Sequence, residues 1–548
     1  MKKFLAVLLV MTFTFSLLAG CGGQTDTQQP PVQGDGGTAV GGTADGGTTT
    51  PPAGGGDAAA PSGETHLMLV QPMMPTNFDP VLQSEVPASR AIALIFNTLV
   101  YQDADMNIVP GLATSWEFLD SQNVVFTLRE GVRFHNGNIL TADDVVFSLN
   151  RAGNSPHVSA IMNFIQEAVA LDEHTVQLTT YFPFAPMLAH LAHTSASIVN
   201  QEEVERVGDD AHGQNPVGTG PFRFYSHFAG DRFELARFDD FNSVKPGLPE
   251  GQLPALEHLT FRVIPEAGVR TIELETGAAH VLVDVGATEV ARIRDHADLD
   301  MYEIPNFAIN TWLGFNQARA PFDDIRVRQA VAYALDIETI VDVAWAGLGQ
   351  VARGTLPTTV SGAQVFPVHP INIERARELM AEAGHADGFT INVWTNEGNP
   401  MRADAATMIQ AQLRALNIET TIHIYEWAIL LPGTAAGEHN MWLGGWTTST
   451  GEADYGLYPL FHSSNFGEAG NRFFISNPRV DYLIDFGRSN TEWPLRYEAY
   501  REVQEILNAE MVHVPLWQAA ELHAASNRIG GVDINGAGHL RLWNTYFR

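Results

Sequence analysis

The apolar positions beyond residue 63 follow two spacings, one typical of helices and the other typical of strands. Between residues 87 and 101 they recur every three or four positions, at Ile92, Ile95 and Leu99, which predicts a helix. Between residues 124 and 129 apolar and polar residues alternate, which predicts a strand. The same patterns predict strands at 64–70, within 222–238, and at 256–264, 280–284, 306–316, 389–394, 419–425 and 512–517. They predict further helices at 268–275, 373–383, 401–416 and 495–510.

Two of the helix starts have a predicted cap. Thr141 is followed three residues later by Asp144, which is close to the capping-box pattern with Asp in the place of Glu. Asp323 or Asp324 is positioned to cap a helix that carries Val327 on its apolar face. Both helices are therefore expected to begin at these residues.

The order of helices and strands predicts two α/β lobes. The first lobe is expected at residues 64–309 and the second at residues 310–511. Residues 512–548 are too many to form a simple cap on the second lobe, so we expect them to return to the first lobe. Two crossings between the lobes would form a hinge.

The stretch Met441–Leu460 has the clearest signs of a ligand site. An apolar run, Met441–Leu443, predicts a short buried strand, and the chain is expected to break at Gly444-Gly445. Glycines directly before Trp446 allow the backbone to approach another group closely, because no Cβ stands in the way.

Polar residues follow this tryptophan. They are Thr447, Thr448, Ser449, Glu452 and Asp454. An aromatic wall, approachable backbone and a few hydroxyls and carboxylates are typical of a cleft for a small ligand. The alternative interpretation is a buried tryptophan on an ordinary turn.

Length and composition indicate a folded protein with an acidic surface. The chain of 548 residues is long enough for two packed lobes, and its hydrophobic content of 45% excludes a disordered protein. Its 63 acidic residues outnumber 31 Lys and Arg, for a formal charge of -32. This charge argues against a nucleic-acid partner, because phosphates attract the opposite sign. We interpret the negative charge as that of a solvated surface that keeps an exported protein soluble. The alternative interpretation is a preference for cationic ligands.

The amino terminus predicts export and a lipid anchor. Lys2 and Lys3 precede an apolar core at residues 4–18, too short and too poorly flanked for a membrane span. The sequence Leu18-Ala19-Gly20-Cys21 resembles the bacterial lipobox, which implies a signal peptide at 1–20 and lipidation of Cys21. Residues 21–63 are rich in Gly, Thr, Ala and Pro and predict a disordered tether. Which membrane carries the anchor is left open.

Seven short motifs follow one another along residues 64–548. They are Leu112–Trp116, Arg129–Gly137, Leu140–Val145, Gly218–Phe222, Phe322–Ala332, Gly445-Trp446 and Ser476–Asp481. Each motif alone is weak, but in this order they resemble the extracytoplasmic solute-binding proteins of the peptide/nickel/oligopeptide ABC-transporter family, family 5.

This resemblance implies an α/β fold of the periplasmic-binding-protein type, type II, with two lobes that close over a ligand. It implies an additional subdomain in the first lobe, at about residues 112–215. It also implies a monomer that delivers a captured solute to an ABC permease in the membrane, and neither catalysis nor a cofactor. The expected solute is an oligopeptide; a nickel chelate, a glutathione-like compound or a sugar is the alternative.

In peptide-binding members of the family, the residues after the Gly-Trp pair line the cleft, and an acid three places after the Trp binds the peptide amino group. The corresponding residue here is Ser449, which carries no charge. Either Glu452 or Asp454 takes over this role, or the ligand has no free amine at this point. The segment 449–454 is more similar to the branch that binds glutathione and short peptides.

Three further side chains are candidates for the cleft. Arg402 has a guanidinium that suits a ligand carboxylate, although it is equally explained as a solvated arginine at a helix start. Trp427 is either a second aromatic wall or a core residue. Asn77 is the candidate from the first lobe.

Other functions have less support in the sequence. The 19 histidines form no HExxH motif and no close Cys/His group, so no metal site is predicted. Two carboxylates beside a substrate are the machinery of some hydrolases, but neighbouring carboxylates in a loop more commonly form turns. An anchored adhesin or chaperone would instead require a broad exposed apolar surface.

Overall fold

The computed structural model of the chain describes residues 63–83, 85–103, 107–304, 309–518, 520–534 and 540–548. The predicted signal peptide, the lipidation of Cys21 and the tether up to residue 62 lie outside the described residues and stay predictions. Among the described helices, none is both long and apolar enough to cross a lipid bilayer.

The part of the chain up to residue 304 contributes strands to three sheets and also contains short helices. Its strands are β1 (His66–Gln71), β2 (Val100–Gln102), β3 (Ile108–Pro110), β4 (Ala113–Phe118), β5 (Asn123–Leu128), β6 (Ile165–Asp172), β7 (Thr175–Thr180), β8 (Phe222–Phe228), β9 (Arg232–Arg237), β10 (His258–Val263), β11 (Val281–Val283) and β12 (Leu299–Ile304). Its helices are α1 (Val86–Ile95), α2 (Ala142–Asn154), α3 (Ser159–Met162), α4 (Met187–Leu191), α5 (Gln201–Val207), α6 (Asp209–Gln214), α7 (Ala267–Glu275) and α8 (Val290–Arg294).

The part from residue 309 to residue 518 forms the second lobe. Its strands are β13 (Ile309–Phe315), β14 (Gln350–Val351), β15 (Phe389–Asn396), β16 (Ile418–Tyr425), β17 (Met441–Thr447) and β18 (His513–Gln518). Its helices are α9 (Ile325–Ala334), α10 (Ile337–Ala344), α11 (Ile373–Glu382), α12 (Pro400–Leu413), α13 (Trp427–Ala435), α14 (Ala453–Phe461), α15 (Pro478–Ser489) and α16 (Trp493–Ala509). The remaining strands are β19 (Glu521–Ser526), β20 (Ile529–Gly530), β21 (Asp533–Ile534), β22 (Leu540–Arg541) and β23 (Tyr546–Phe547).

Each lobe is built on one large sheet. The first-lobe sheet has seven strands in the order β12-β19-β11-β1-β10-β9-β8, with β1 parallel to both of its neighbours. The second-lobe sheet has six strands in the order β14-β18-β13-β17-β15-β16, and β15, β16 and β17 are parallel. This is the two-lobed α/β fold that the sequence predicted.

A subdomain of the first lobe has its own antiparallel sheet and core. Its sheet has the strand order β4-β5-β7-β6, and residues such as Phe126, Leu149 and Leu178 are fully buried beneath it. These strands lie within the predicted range of about 112–215. Tyr455 of the second lobe belongs to the same hydrophobic cluster, so the subdomain contacts the other lobe directly.

The predicted boundary of the second lobe at residue 511 is wrong. The strand His513–Gln518 was expected to return to the first lobe, but it pairs with β13 and β14 in the second-lobe sheet. Val514 and Leu516 are fully buried there. The chain therefore returns to the first lobe between Gln518 and Glu521, where β19 joins the first sheet.

Both predicted helix caps are confirmed. The Asp144 carboxylate accepts a hydrogen bond of 3.1 Å from the backbone N–H of Thr141, at the start of α2. Asp324 is the N-cap of α9, and its carboxylate accepts a bond of 2.8 Å from the backbone N–H of Arg326. In both cases a short polar side chain satisfies backbone donors that the first turn of the helix leaves free.

Candidate functional site

The three parallel strands of the second lobe end at one edge of the sheet. Asn396, Tyr425 and Thr447 are the last residues of β15, β16 and β17. Ligands of α/β proteins bind beyond such carboxyl ends, because the loops that follow the strands meet there. The segments after these three strands carry Arg402, Trp427 and the polar residues 447–454, so most of the predicted site residues lie at this edge.

The strands next to the two crossings between the lobes begin or end at the same edge. β13 is antiparallel to β17, and its first residue, Ile309, pairs with Thr447 at the end of β17. β18 also ends here, since its last residue, Gln518, pairs with Asn310. The edge that carries the candidate site is therefore the edge from which the second lobe connects to the first.

The predicted break at Gly444-Gly445 is wrong, because β17 continues to Thr447. Gly444 pairs with Trp312 and Gly445 pairs with Thr311, so the ladder to β13 holds both glycines in extended conformation. The predicted close approach is nevertheless present. A Cβ at Gly445 would lie 2.5 Å from the Nη2 atom of Arg402.

Trp446 lies at the contact between the lobes. Its indole N–H donates a 2.9 Å hydrogen bond to the backbone carbonyl of Tyr455, and the two rings are 5.3 Å apart between centroids. The half-buried indole packs against the hydrophobic cluster of the first-lobe subdomain and against a cluster of the second lobe. Trp446 therefore lies beside Tyr455, the second-lobe residue that packs into the subdomain cluster.

The hydroxyl run after Trp446 is largely enclosed by this contact. Thr448, Ser449 and Thr450 are buried, whereas Thr447 is half-buried. The backbone carbonyl of Thr450 accepts a 3.0 Å hydrogen bond from the side-chain amide of Gln102, in the first lobe. The Ser449 hydroxyl bonds to the side chain of Tyr455, whose pKa burial raises to about 12.

The two carboxylates of the segment both have cationic partners. Glu452 accepts a 2.7 Å hydrogen bond from Arg496. Asp454, whose side chain is 1% exposed, lies 3.0 Å from Nε of Arg488 and 3.6 Å from Nε2 of His190 in the first lobe. Burial raises the pKa of both carboxyls above their usual values, although the arginines act in the opposite direction.

Further contacts of Arg488 connect the lobes. Its guanidinium lies 3.4 Å from the ring centroid of Tyr458 and donates a 3.2 Å hydrogen bond to the Asn163 side chain of the subdomain. The Asn163 amide donates in turn to the Tyr458 hydroxyl, at 3.1 Å. Arg488, Arg496 and Asn163 were not among the predicted site residues. In the sequence, Arg488 and Arg496 are recognisable only as charged residues within helices. Many other residues share this property, so it does not identify them as site residues.

Arg402 differs from these arginines in having no carboxylate partner among the described residues. It is 8% exposed, on the first turn of α12, and its Nη1 donates a 2.8 Å hydrogen bond to the side-chain oxygen of Asn396. Its Nε is buried and has no hydrogen-bond partner. Burial of the charge lowers the pKa of Arg402 to about 10.

The remaining two candidates, Trp427 and Asn77, contact residues of their own lobe. Trp427 is the first residue of α13 and packs, half-buried, against a hydrophobic cluster of the second lobe. The Asn77 side chain accepts a 2.7 Å hydrogen bond from the backbone N–H of Asp79 and contacts Gly213, all within the first lobe. A role of either residue in ligand binding stays a prediction.

One group of possible metal ligands occurs among the described residues. Atoms of Asp284, Glu521 and His523 lie within 4.8 Å of one another. Arg90, however, donates to both carboxylates at 3.1 Å and so already supplies one positive charge to them. The group therefore forms an internal ion network of the first lobe.

Comparison with known proteins identifies the family. The family model for bacterial extracellular solute-binding proteins, family 5 middle region, matches residues 107–468. The dipeptide-binding protein of Escherichia coli K12 is 29% identical over 469 residues, which cover 79% of this chain and 85% of the relative. The glutathione-binding protein GsiB of Salmonella typhi is 28% identical over 466 residues, covering 83% and 89%.

Solved structures agree with this assignment. The periplasmic binding protein DppA from Helicobacter pylori, in complex with the peptide STSA, matches with a TM-score of 0.81 and 25% identity. The match covers 88% of this chain and 98% of that chain. The chain therefore belongs to the bacterial extracellular solute-binding proteins of family 5.

Proposed function

We propose that this protein captures an oligopeptide between its two lobes and delivers it to the permease of an ABC importer. The observation that carries the proposal is the position of Trp446, at the carboxyl edge of the second-lobe sheet and against the hydrophobic cluster that Tyr455 shares with the first-lobe subdomain. A solute enclosed here touches both lobes and thereby favours their closed arrangement over an open one.

A peptide suits the chemistry of this edge. Trp446 offers an aromatic surface, and Gly445 allows the Arg402 guanidinium to lie directly against the strand. Thr447, Thr448 and Ser449 add hydroxyls beside that backbone. The similar protein of Escherichia coli is named a dipeptide-binding protein, and the similar structure from Helicobacter pylori is a complex with a peptide. Both support the same class of solute here.

The other candidate residues have proposed roles around this centre. Arg402 binds a carboxylate of the solute, Trp427 supplies a second aromatic surface, and Asn77 contributes from the first lobe. Cys21 carries a lipid that anchors the protein to a bacterial membrane, outside the cytoplasm. The anchoring proposal rests on the lipobox-like sequence alone.

A glutathione-like solute is the second candidate. Glutathione carries two carboxylates beside its one ammonium group, which suits a site where Glu452 and Asp454 are paired with arginines and Arg402 has no carboxylate partner among the described residues. The similarity to GsiB supports the same alternative. Both candidates use the same cleft and the same transport function.

Identification of the natural solute tests the proposal. The body of the protein, residues 64–548, is purified without added ligand and denatured, and the released compounds are analysed by mass spectrometry. We expect a peptide or peptide-like compound in stoichiometric amount. A protein that releases no solute and binds no peptide or glutathione in calorimetric titration would contradict it.

A further inference from the structure

The subdomain of the first lobe contributes none of the candidate cleft residues. Asn77 precedes it in the chain, and the other candidates for the cleft lie in the second lobe. The subdomain nevertheless meets the second lobe at a defined place, where residues between 163 and 190 contact α14 and the end of α15. This contact calls for a role other than direct binding of the solute.

Arg488 is the centre of the contact. It lies in the last turn of α15 and is 3% exposed. Its guanidinium lies 3.4 Å from the ring centroid of Tyr458, in its own lobe, and 5.3 Å from those of Phe182 and Phe184, in the subdomain. The backbone N–H of Ala185 donates a 3.2 Å hydrogen bond to the Arg488 carbonyl. The subdomain therefore holds both the side chain and the backbone at this end of α15.

The Asn163 side chain bonds only across the contact. Its oxygen accepts a 3.2 Å hydrogen bond from Nη2 of Arg488, and its nitrogen donates a 3.1 Å hydrogen bond to the Tyr458 hydroxyl. Among the described residues, this side chain has no hydrogen bond within the first lobe. Its hydrogen bonds therefore stabilise the contact between the lobes and not the fold of the subdomain.

The ion pair at this contact belongs to one lobe. Arg488 and its counter-charge Asp454 both lie in the second lobe, 3.0 Å apart between Nε and Oδ1. His190 of the subdomain approaches Asp454 to 3.6 Å, but burial lowers the pKa of His190 to about 3, so its ring is neutral near pH 7. Separation of the lobes would leave neither ion without its partner, so the large cost of breaking a buried ion pair does not arise.

The contact is also connected to the segment that carries Trp446. The Trp446 indole donates its hydrogen bond to the carbonyl of Tyr455, and Tyr455 packs into the hydrophobic cluster of the subdomain. Asp454, the partner of Arg488, directly precedes Tyr455. Closure of the lobes at Trp446 and docking of the subdomain on Arg488 are therefore parts of one movement.

We propose that the subdomain is a latch for the closed protein, in which Asn163 and residues 182–185 hold Arg488 and so determine how slowly a bound solute is released. A contact that is packed and hydrogen-bonded, and that needs no ion pair across the interface, can form and break repeatedly. The inference rests on the proposed function, since the latch acts on the same closing motion.

A pair of asparagine variants tests the latch. Asn163→Ala removes both hydrogen bonds of this side chain to the second lobe and leaves the ion pair intact. Asn150→Ala is the matched control, because Asn150 is also half-buried and its side chain makes two hydrogen bonds, both to the backbone of Ala168 within the subdomain. Urea denaturation checks that both variants are folded.

The release rate is measured by fluorescence energy transfer between the lobes. Residues 64–548 contain no cysteine, so Glu117→Cys and Leu495→Cys place one dye on an exposed position of each lobe. When protein saturated with trialanine is diluted, Asn163→Ala should open at least fivefold faster than the parent, and Asn150→Ala should open within twofold of it. A smaller acceleration in Asn163→Ala, or an equal one in Asn150→Ala, would overturn the latch.

Failure of the oligopeptide proposal is distinguishable from failure of this inference. If trialanine does not bind, single-molecule energy transfer in the unliganded protein gives the ratio of closed to open molecules. A ratio at least threefold lower in Asn163→Ala than in the parent and in Asn150→Ala supports the latch, and a smaller difference overturns it.

Discussion

Three buried arginines of the second lobe differ in whether a carboxylate lies beside the guanidinium. Arg488 and Arg496 meet Asp454 and Glu452 at 3.0 and 2.7 Å. Arg402, on the first turn of α12, has no such partner among the described residues. Burial of an arginine alone therefore does not show whether it stabilises the fold or binds a ligand. The paired arginines stabilise the fold, whereas the proposed role of Arg402 is to bind a carboxylate of the solute.

The paired arginines also contact aromatic rings, whereas no ring of the described residues lies over Arg402. Arg488 lies over Tyr458 and near two phenylalanines of the subdomain, and Arg496 lies near Trp493. Such stacking contributes about 0.5–2 kcal/mol per contact. Breaking the paired group should therefore lower stability, and changing Arg402 should lower binding.

The largest effect is expected for Asp454→Ala. This change leaves Arg488, 3% exposed, without its counter-charge, which costs about 3–5 kcal/mol of unfolding free energy for a buried pair. Urea denaturation of the unliganded protein measures the loss. A loss below about 1 kcal/mol would mean that Arg488 is not held by Asp454, and the comparison would fail at this point.

Arg402→Met is the opposite case. It removes a buried charge without a partner, so the unfolding free energy should stay within about 1 kcal/mol of the parent or rise. Affinity for a carboxylate-bearing solute should fall by about 1.5–3 kcal/mol, the range for a charge-assisted hydrogen bond. Calorimetric titration and urea denaturation of the same preparation separate the two quantities. A strong loss of stability with unchanged affinity would make Arg402 a structural residue.

Trp446→Ala should weaken solute binding by more than about 1 kcal/mol, because aromatic side chains in enclosed contacts carry much of the binding energy. The protein should remain folded, since the indole is only half-buried. Titration of the variant measures the affinity, and circular dichroism checks the fold. Unchanged affinity would remove Trp446 from the site.

The smallest effect is expected for Glu452→Gln. The Glu452 side chain is 26% exposed, so the pair with Arg496 is partly solvated and its loss should cost about 1 kcal/mol of unfolding free energy. Affinity for trialanine should stay within twofold, because this carboxylate is bound to arginine and not to the solute. A tenfold loss of affinity would restore Glu452 as the acid that binds the peptide amine.

Local sequence patterns predicted local structure well. The caps at Asp144 and Asp324 depend on residues two or three positions apart, so the sequence contains all the information that they need. The type and place of most strands and helices were predicted for the same reason. The two lobes followed from the order of helices and strands and from the family resemblance, and the solute-binding role followed from the resemblance alone. Both are confirmed, and family membership also excludes the alternative of a hydrolase.

The errors occurred where distant segments meet. The strand His513–Gln518 was recognised, but its lobe was not, because its partner β13 lies about 200 residues earlier in the chain. Gly444 and Gly445 indicated a break, but their pairing with β13 keeps them in the sheet. The partners of Glu452 and Asp454 are 44 and 34 residues away, on α16 and α15, and no local pattern reveals them.

The contact between Gly445 and Arg402 makes one backbone position important to both the proposed site and the sheet. A methyl group at 445 would meet the mobile end of an arginine at 2.5 Å, whereas its nearest backbone neighbour would be the carbonyl of Asn310 at 2.9 Å. Both distances are shorter than a Cβ tolerates, so this smallest of substitutions would displace the guanidinium and also press on strand β13. The proposed binding of a solute carboxylate and the pairing of β17 with β13 therefore depend on the same missing methyl group.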